Sequence, residues 1–476
     1  MPTGATRDLA DYIVGFRWDD VPAATQQRVL DIAVDGVGAG MFGSLLPWSV
    51  KAVDGLSRLA GSGQASVWGH GRQLGVEHAA MLNSSFIQGF ELDDYHEFGP
   101  MHIASIVVPS VLAWAETSPT PIAADDLLAA LAVGMEVGPR LGMAIGAYDL
   151  LARGWHCGVI YGSLAAAAAC SRLARLDVAR TEDALGMAAT QASGLMSAQF
   201  EGDVKRIQHG FAARAGLVAT ALADAGYTGI KDVLEREYGG FSAVFAPGRD
   251  IDWRAMVERL GDGWEIQRYA LKAYSCYGGL HPAIDGVKAW LADGTLTPAT
   301  LERIVVTLPH TLYKHAAWTL ERDAWTVIGA QMNMAYSLAA CIATGDAFVD
   351  AFLPERSRDP EIWRLVERIE VREDDAWERR ITERRTMRAT KLELHTTDGS
   401  THEAIIESAT GTTAHPMRSD AVRAKAARLL AYVTADPSEA GAIIDALYAL
   451  PKSGDARSVT DLLAADRTAY AGRYGF

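Results

Sequence analysis

The sequence predicts a mostly α-helical protein: a large all-helical domain built from both chain ends, plus a smaller inserted α+β lid domain. Three observations carry this expectation. Through residue 265, apolar residues recur at helical spacing. Beyond that point the chain turns to β-branched and alternating runs. From about Asp420 the helical spacing returns. The domains so read are 1–265, 266–408 and 409–476.

The elements follow in order. "QQRVLDIAVDGV" has a helical period and runs into "GAGMFG" (Gly38–Gly43). That hexapeptide matches GxGxxG, but no strand precedes it, so it reads as a Gly-rich helix end and not a dinucleotide fingerprint. In "TPIAADDLLAALAVGMEVG", Asp125 is placed to cap a helix on which Leu127, Leu128, Leu131 and Met135 share one face. "GSLAAAAACSRLARL" (Gly162–Leu176) is a helix whose small side chains suit close contact between helices. "LERIVVTLP" is a strand and "RIEVRED" (Arg368–Asp374) another. "ATKLELHTTDGSTHEAIIES" is a hairpin turning near Asp398-Gly399. "AQMNMAYSLAA" (Ala330–Ala340) reads as one apolar helix, and "SDAVRAKAARLLAYV" and "GAIIDALYAL" as the last helices.

Composition narrows the function. The chain has 476 residues, 49% hydrophobic and 22% charged, with a net charge of −15. That charge argues against nucleic acid as a partner, because phosphate binding relies on clustered Lys and Arg. It leaves room for a small anion held in a local positive pocket. The apolar run Ile103–Ala115 is too short to span a bilayer and contains Pro109, so no membrane partner is expected. Four scattered cysteines without a CxxC pair suit a reducing compartment. No basic and apolar leader pattern opens the sequence, so the expected location is cytoplasmic.

The residues that can do chemistry are grouped. "GFELDDYHEFGPMH" sets Glu91, Asp93, Asp94 and Glu97 beside His96 and His102, between apolar runs. Asp94, His96 and His102 are possible metal ligands, but no HxxxH or HExxH pattern places them on one helical face. A solvated acidic turn is the plainer alternative. "ARGWHCGVIYG" puts His156 between Gly154 and Gly158 just before an apolar helix. "GDVKRIQHGFAARAG" carries Lys205, Arg206 and His209, and its Lys-Arg pair is a candidate carboxylate clamp. In "LKAYSCYGGLHPAIDGVKAWLADG", Pro282 marks a first helical turn, which places His281 at a helix N-terminus favourable to anions. Lys272 lies upstream on an expected strand, and Cys276 reads as structural. The apolar helix Ala330–Ala340 carries one Tyr hydroxyl, Tyr336, which by itself reads as core.

Together these segments resemble the MmgE/PrpD family. The likeness rests on "FELDDYHEFGPMHIASIVVPSVLAWAE", "GWHCGVIYGSLAAAAA", "GLMSAQFEGDVKRIQHGFAARAGL", "YGGF" (Tyr238–Phe241), "LKAYSCYGGLHPAIDG" and "AQMNMAYSLAA", in family order from about Thr25 to Tyr336. The C-terminal part is similar in general layout. The resemblance implies a homodimer working without metal or organic cofactor on a small polycarboxylate. It implies a carboxy-lyase, with conversion of cis-aconitate to itaconate foremost; dehydration of a methylcitrate-like acid or epimerisation is the alternative. A non-catalytic relative is the third reading. Carried over by motif, the catalytic residues would be His102, His156, Lys205, His281 and Tyr336, and the substrate-binding residues Glu91, Asp93, Asp94, Tyr95 and Lys272. Both His96 and His102 could handle the proton, with His102 favoured because His96 sits in the acidic turn. The carboxylates at 91, 93 and 94 are expected to orient His102 or His156.

Overall fold

The two longest helical periodicities become the two longest helices, Ala23–Gly43 and Ala124–Ile145. Both are buried on nearly every face, which is why their apolar residues do not keep to one stripe. The computed structural model describes residues 4–199, 202–384, 389–453 and 455–475. Phe200 and Glu201 of the quoted motif lie outside the described residues. The chain divides into two compact units. A helical unit comprises Met1–Gly89, Asp93–Ala270 and Arg418–Ala471; an α+β unit comprises Phe90–Leu92, Leu271–Met417 and Gly472–Phe476. The sequence reading had set the inserted segment at 266–408.

In the helical unit, Val76–Ile87, Ala104–Thr117 and Gly162–Leu173 pack against Ala124–Ile145 or Ala23–Gly43, and Gln208–Asp224 packs on these three helices. Small residues set the spacing. A Cβ on Gly216 would lie 2.4 Å from Ala166 Cβ and 2.6 Å from the Ala167 nitrogen, so only glycine lets the two helices approach this closely. The "GAGMFG" segment is the C-terminal end of helix Ala23–Gly43, where a Cβ on Gly43 would fall 1.9 Å from the Phe86 carbonyl oxygen. Its glycines serve helix packing. From the C-terminal segment, helix Ser419–Leu430 packs against Ala23–Gly43.

Two local expectations are corrected. Asp125 is not the cap of its helix: the cap position is Ala123, and Asp125 lies in the first turn, where its charge favours the positive end of the helix dipole. The stretch read as wholly helical also contains a short antiparallel ladder, Ala65–Val67 with Arg72–Leu74.

The α+β unit is built on a four-stranded sheet ordered Ile369–Glu373, Leu301–Leu308, Thr390–Thr396, Thr401–Ile406. The first pair is parallel and the other two are antiparallel. Thr390–Thr396 buries alternate residues, as the alternation "TKLELHT" requires. The hairpin turns at Asp398-Gly399 with Gly399 at φ +87°, a conformation that needs glycine. Helix His281–Ala292 begins with Pro282 and packs on the sheet. "AQMNMAYSLAA" is not one helix: Val327–Met332 and Met334–Thr344 meet at Asn333, whose side chain accepts from the Tyr336 N–H as an N-cap.

Candidate active site

The acidic segment of the sequence parts in two, and its carboxylates take different tasks. Asp93 is fully buried, with Oδ2 3.0 Å from Nδ1 of His102. The His102 ring is a quarter exposed, so one edge faces the carboxylate and another is open. Asp94 accepts the Ile103 N–H at 2.9 Å and the Ala104 N–H at 3.0 Å. It therefore satisfies orphan donors at the start of helix Ala104–Thr117 and fixes the backbone on which His102 stands. Burial, reinforced by Asp93, pushes its carboxyl up to about 7.

His96 is also buried, but both ring nitrogens are occupied. Nδ1 accepts from the Gly99 N–H at 2.9 Å and the Phe98 N–H at 3.3 Å. Nε2 lies 3.2 Å from Glu265. Burial lowers the His96 pKa, with Glu265 working against that. The ring ties a tight turn and has no nitrogen left over.

His156 starts the short helix Cys157–Ile160, and its N–H donates to Gly194 O at 3.1 Å. Gly194 stands at φ +125°, and a Cβ there would come within 3.1 Å of His156 Cβ, so a side chain would displace the histidine. Lys205 is buried in the turn Asp203–Arg206, directly before helix Gln208–Asp224. Arg206 reaches the Gln88 carbonyl at 3.4 Å and lies 5.4 Å from the Trp48 ring centre. His209, in the first turn of the following helix, has its ring 5.2 Å from that of His102 and 5.0 Å from that of His156. Thus one unit gathers Asp93, His102, His156, Lys205 and His209. Ser105 Oγ, 2.8 Å from His209 Nδ1, completes the group.

Of the remaining expected site residues, Glu91, Lys272, His281 and Tyr336 lie in the α+β unit. Glu91 pairs with Lys272 at 2.9 Å, both side chains buried. Its backbone stands at φ +57°, strained for a residue other than glycine. His281 is buried at the N-terminus of its helix, with Nε2 3.3 Å from Cys276 O and its ring against Tyr274. Burial pushes the Cys276 thiol well above its usual pKa, which suits its structural reading. Tyr336 sits among Trp325, Phe352 and Trp363, and burial pushes its phenol up to about 12. Tyr95 is buried in the helical unit, on the strand Asp94–His96.

Among the described residues, no group of three or more His, Cys, Asp and Glu could hold a metal ion. Sequence reasoning missed Ser105, Gln88 and Glu265. Of these only Ser105 carried a signal, its place three residues after His102 at the start of an apolar helix.

Comparison with known proteins identifies the family. The MmgE/PrpD N-terminal domain matches residues 7–254 and the C-terminal domain residues 274–450. The chain is 39% identical over 377 residues to the cis-aconitate decarboxylase-like protein oryM of Aspergillus oryzae, covering 76% of this chain and 78% of that one. It is 35% identical over 476 residues to cis-aconitate decarboxylase of Aspergillus terreus, covering 97% and 96%. The human cis-aconitate decarboxylase is 26% identical over 385 residues, covering 78% and 77%. The likeness extends through the C-terminal segment, where the motifs alone gave only a general layout. The chain belongs to the MmgE/PrpD family.

Proposed function

We propose that the protein converts cis-aconitate to itaconate and carbon dioxide. The observation that carries this reading is the pair of buried Asp93 with partly exposed His102, with His156 and Lys205 close by in one unit. The names of the relatives at 35–39% identity support it, and make the protein a lyase.

The chemistry follows from the donors. The C–C bond to a carboxylate breaks, its electron pair stays on carbon, and carbon dioxide leaves. The allylic carbanion spreads its charge toward a remaining carboxylate. A fixed cation beside that charge lowers the barrier, and buried Lys205 can supply it. A proton must then reach carbon. Imidazolium is the side-chain acid whose ordinary pKa lies nearest neutrality. His102 can donate from Nε2 while Asp93 holds Nδ1, and His156 is the second candidate donor. The balance is one proton taken up and one carbon dioxide released. His96 is not assigned the proton, because both its nitrogens hold the turn together.

The test is direct. Purified protein mixed with cis-aconitate should yield itaconate and carbon dioxide in equal amounts. His102→Asn should lower kcat by ~10²-fold or more with an unchanged melting temperature. Dehydration of 2-methylcitrate without any itaconate would replace this reading with the hydro-lyase one, and inertness toward both acids would favour a non-catalytic relative.

A further inference from the structure

The chemistry above gives His209 no task, yet it is the fully buried centre of the cluster. The His102 ring lies on one side, tilted by 40°, and the His156 ring on the other, at 84°. Both nitrogens of His209 are engaged. Nδ1 is 2.8 Å from Ser105 Oγ, and Nε2 is 3.3 Å from Nε2 of Gln88. Ser105 Oγ is in turn 2.9 Å from the carbonyl oxygen of His102. The ring is also walled in by backbone: a Cβ on Gly158 would lie 3.3 Å from its Nε2.

With the Gln88 amide nitrogen toward the ring, the inventory of donors sets the order of protons. An amide nitrogen only donates, so Gln88 donates to Nε2. The neutral ring then carries its proton on Nδ1 and donates to Ser105. The hydroxyl proton is left for the His102 carbonyl. Three bonds form, each with one donor and one acceptor. Turning the Gln88 amide over reverses the ring, forces Ser105 to donate to Nδ1 and takes the bond from the His102 carbonyl.

We infer that His209 is a positioning residue: a neutral imidazole whose Nδ1–H, through Ser105, fixes the main chain at His102, and whose ring edge fixes His156. This rests on His102 and His156 as the acid groups of the proposed reaction. The charged and titratable groups around His209 are His102, His156, Lys205 and Asp93. Burial pushes its pKa well below the ordinary imidazole value, the charges of His156, His102 and Lys205 add to this, and Asp93 opposes it. His209 therefore does not hold a proton that enters the cluster. Without the spacer the two rings would lose their common wall, and His102 its main-chain tether.

The experiment compares His209→Ala, His209→Asn and Ser105→Ala in the full chain, each with kcat, KM and a thermal melt. Asparagine places an amide N–H where Nδ1–H stood. His209→Ala should lose kcat by up to ~10²-fold with KM nearly unchanged, the signature of misplaced rather than missing groups. His209→Asn should recover most of that loss, and Ser105→Ala should fall between. Wild-type kcat in His209→Ala, or a folded His209→Asn no better than His209→Ala, would overturn the inference. If His209→Ala fails to fold, an undiminished kcat in Ser105→Ala decides against it. A wild-type protein inert toward cis-aconitate would sink the proposed reaction but not this placement. Nitrogen-15 spectra of histidine-labelled free protein then decide. The Nδ1–H tautomer of His209 at neutral pH supports the inference, and an imidazolium or Nε2–H form overturns it.

Discussion

His96 and His102 stand six residues apart in one acidic segment, and their neighbours separate them. Two backbone N–H groups and Glu265 take both nitrogens of His96, whereas His102 keeps a solvent-facing edge and a carboxylate at its back. Asp94 is a third case. Its carboxylate caps a helix start in full burial, and its folded-state pKa of about 7 lies above the ordinary aspartate value. The sign follows from linkage. Between the unfolded and folded pKa values the native state holds the extra proton. This group's contribution to stability is therefore highest below the unfolded pKa and declines as pH rises, up to about pH 7. The slope is at most ~1.4 kcal/mol per pH unit. Asp94→Asn should remove that slope. Urea midpoints of wild type and variant at pH 5, 6 and 7 check this; parallel curves would contradict it.

At the scale of elements, distance of approach is the main theme. Helices Gly162–Leu173 and Gln208–Asp224 carry His209 and the segment after His156, and they touch through Ala166 and Gly216. A side chain at 216 has nowhere to go, because its nearest neighbours include backbone. Gly216→Ala should cost about 1–3 kcal/mol of overpacking, despite alanine's better helix propensity, and a urea or thermal unfolding curve reads the loss. The break at Asn333 shows a different rule. An apolar run long enough for one helix is divided because an Asn side chain offers the following N–H groups a better start.

For the helical unit as a whole, the two chain ends are joined by buried and part-buried polar contacts. Lys425 meets Asp35 at 2.7 Å with both side chains buried. The Tyr448 hydroxyl donates to Asp31 at 2.7 Å, and the Ser419 hydroxyl donates to it at 3.0 Å. Burial pushes the Asp35 carboxyl upward, and Lys425 holds it down. Lys425→Met should therefore cost about 3–5 kcal/mol, because it strands a carboxylate in the core. Pairing it with Asp35→Leu should recover most of that loss. A double variant as unstable as the single one would show that the carboxylate is not the cause.

Local pattern was enough for much of this protein. The helical periods, the alternating strands, the Asp-Gly turn and the Pro282 helix start each follow from residues a few positions apart. The ordered motifs placed the chain in its family. The division of labour inside the acidic segment did not follow, because it depends on partners far away in sequence: Glu265 for His96, Lys272 for Glu91, His209 for Ser105. A hydrogen bond or ion pair extends only ~3 Å, so the packing of distant segments selects its members. The sequence by itself determined which kinds of side chain were at hand. The tertiary structure decided which carboxylate faces which base.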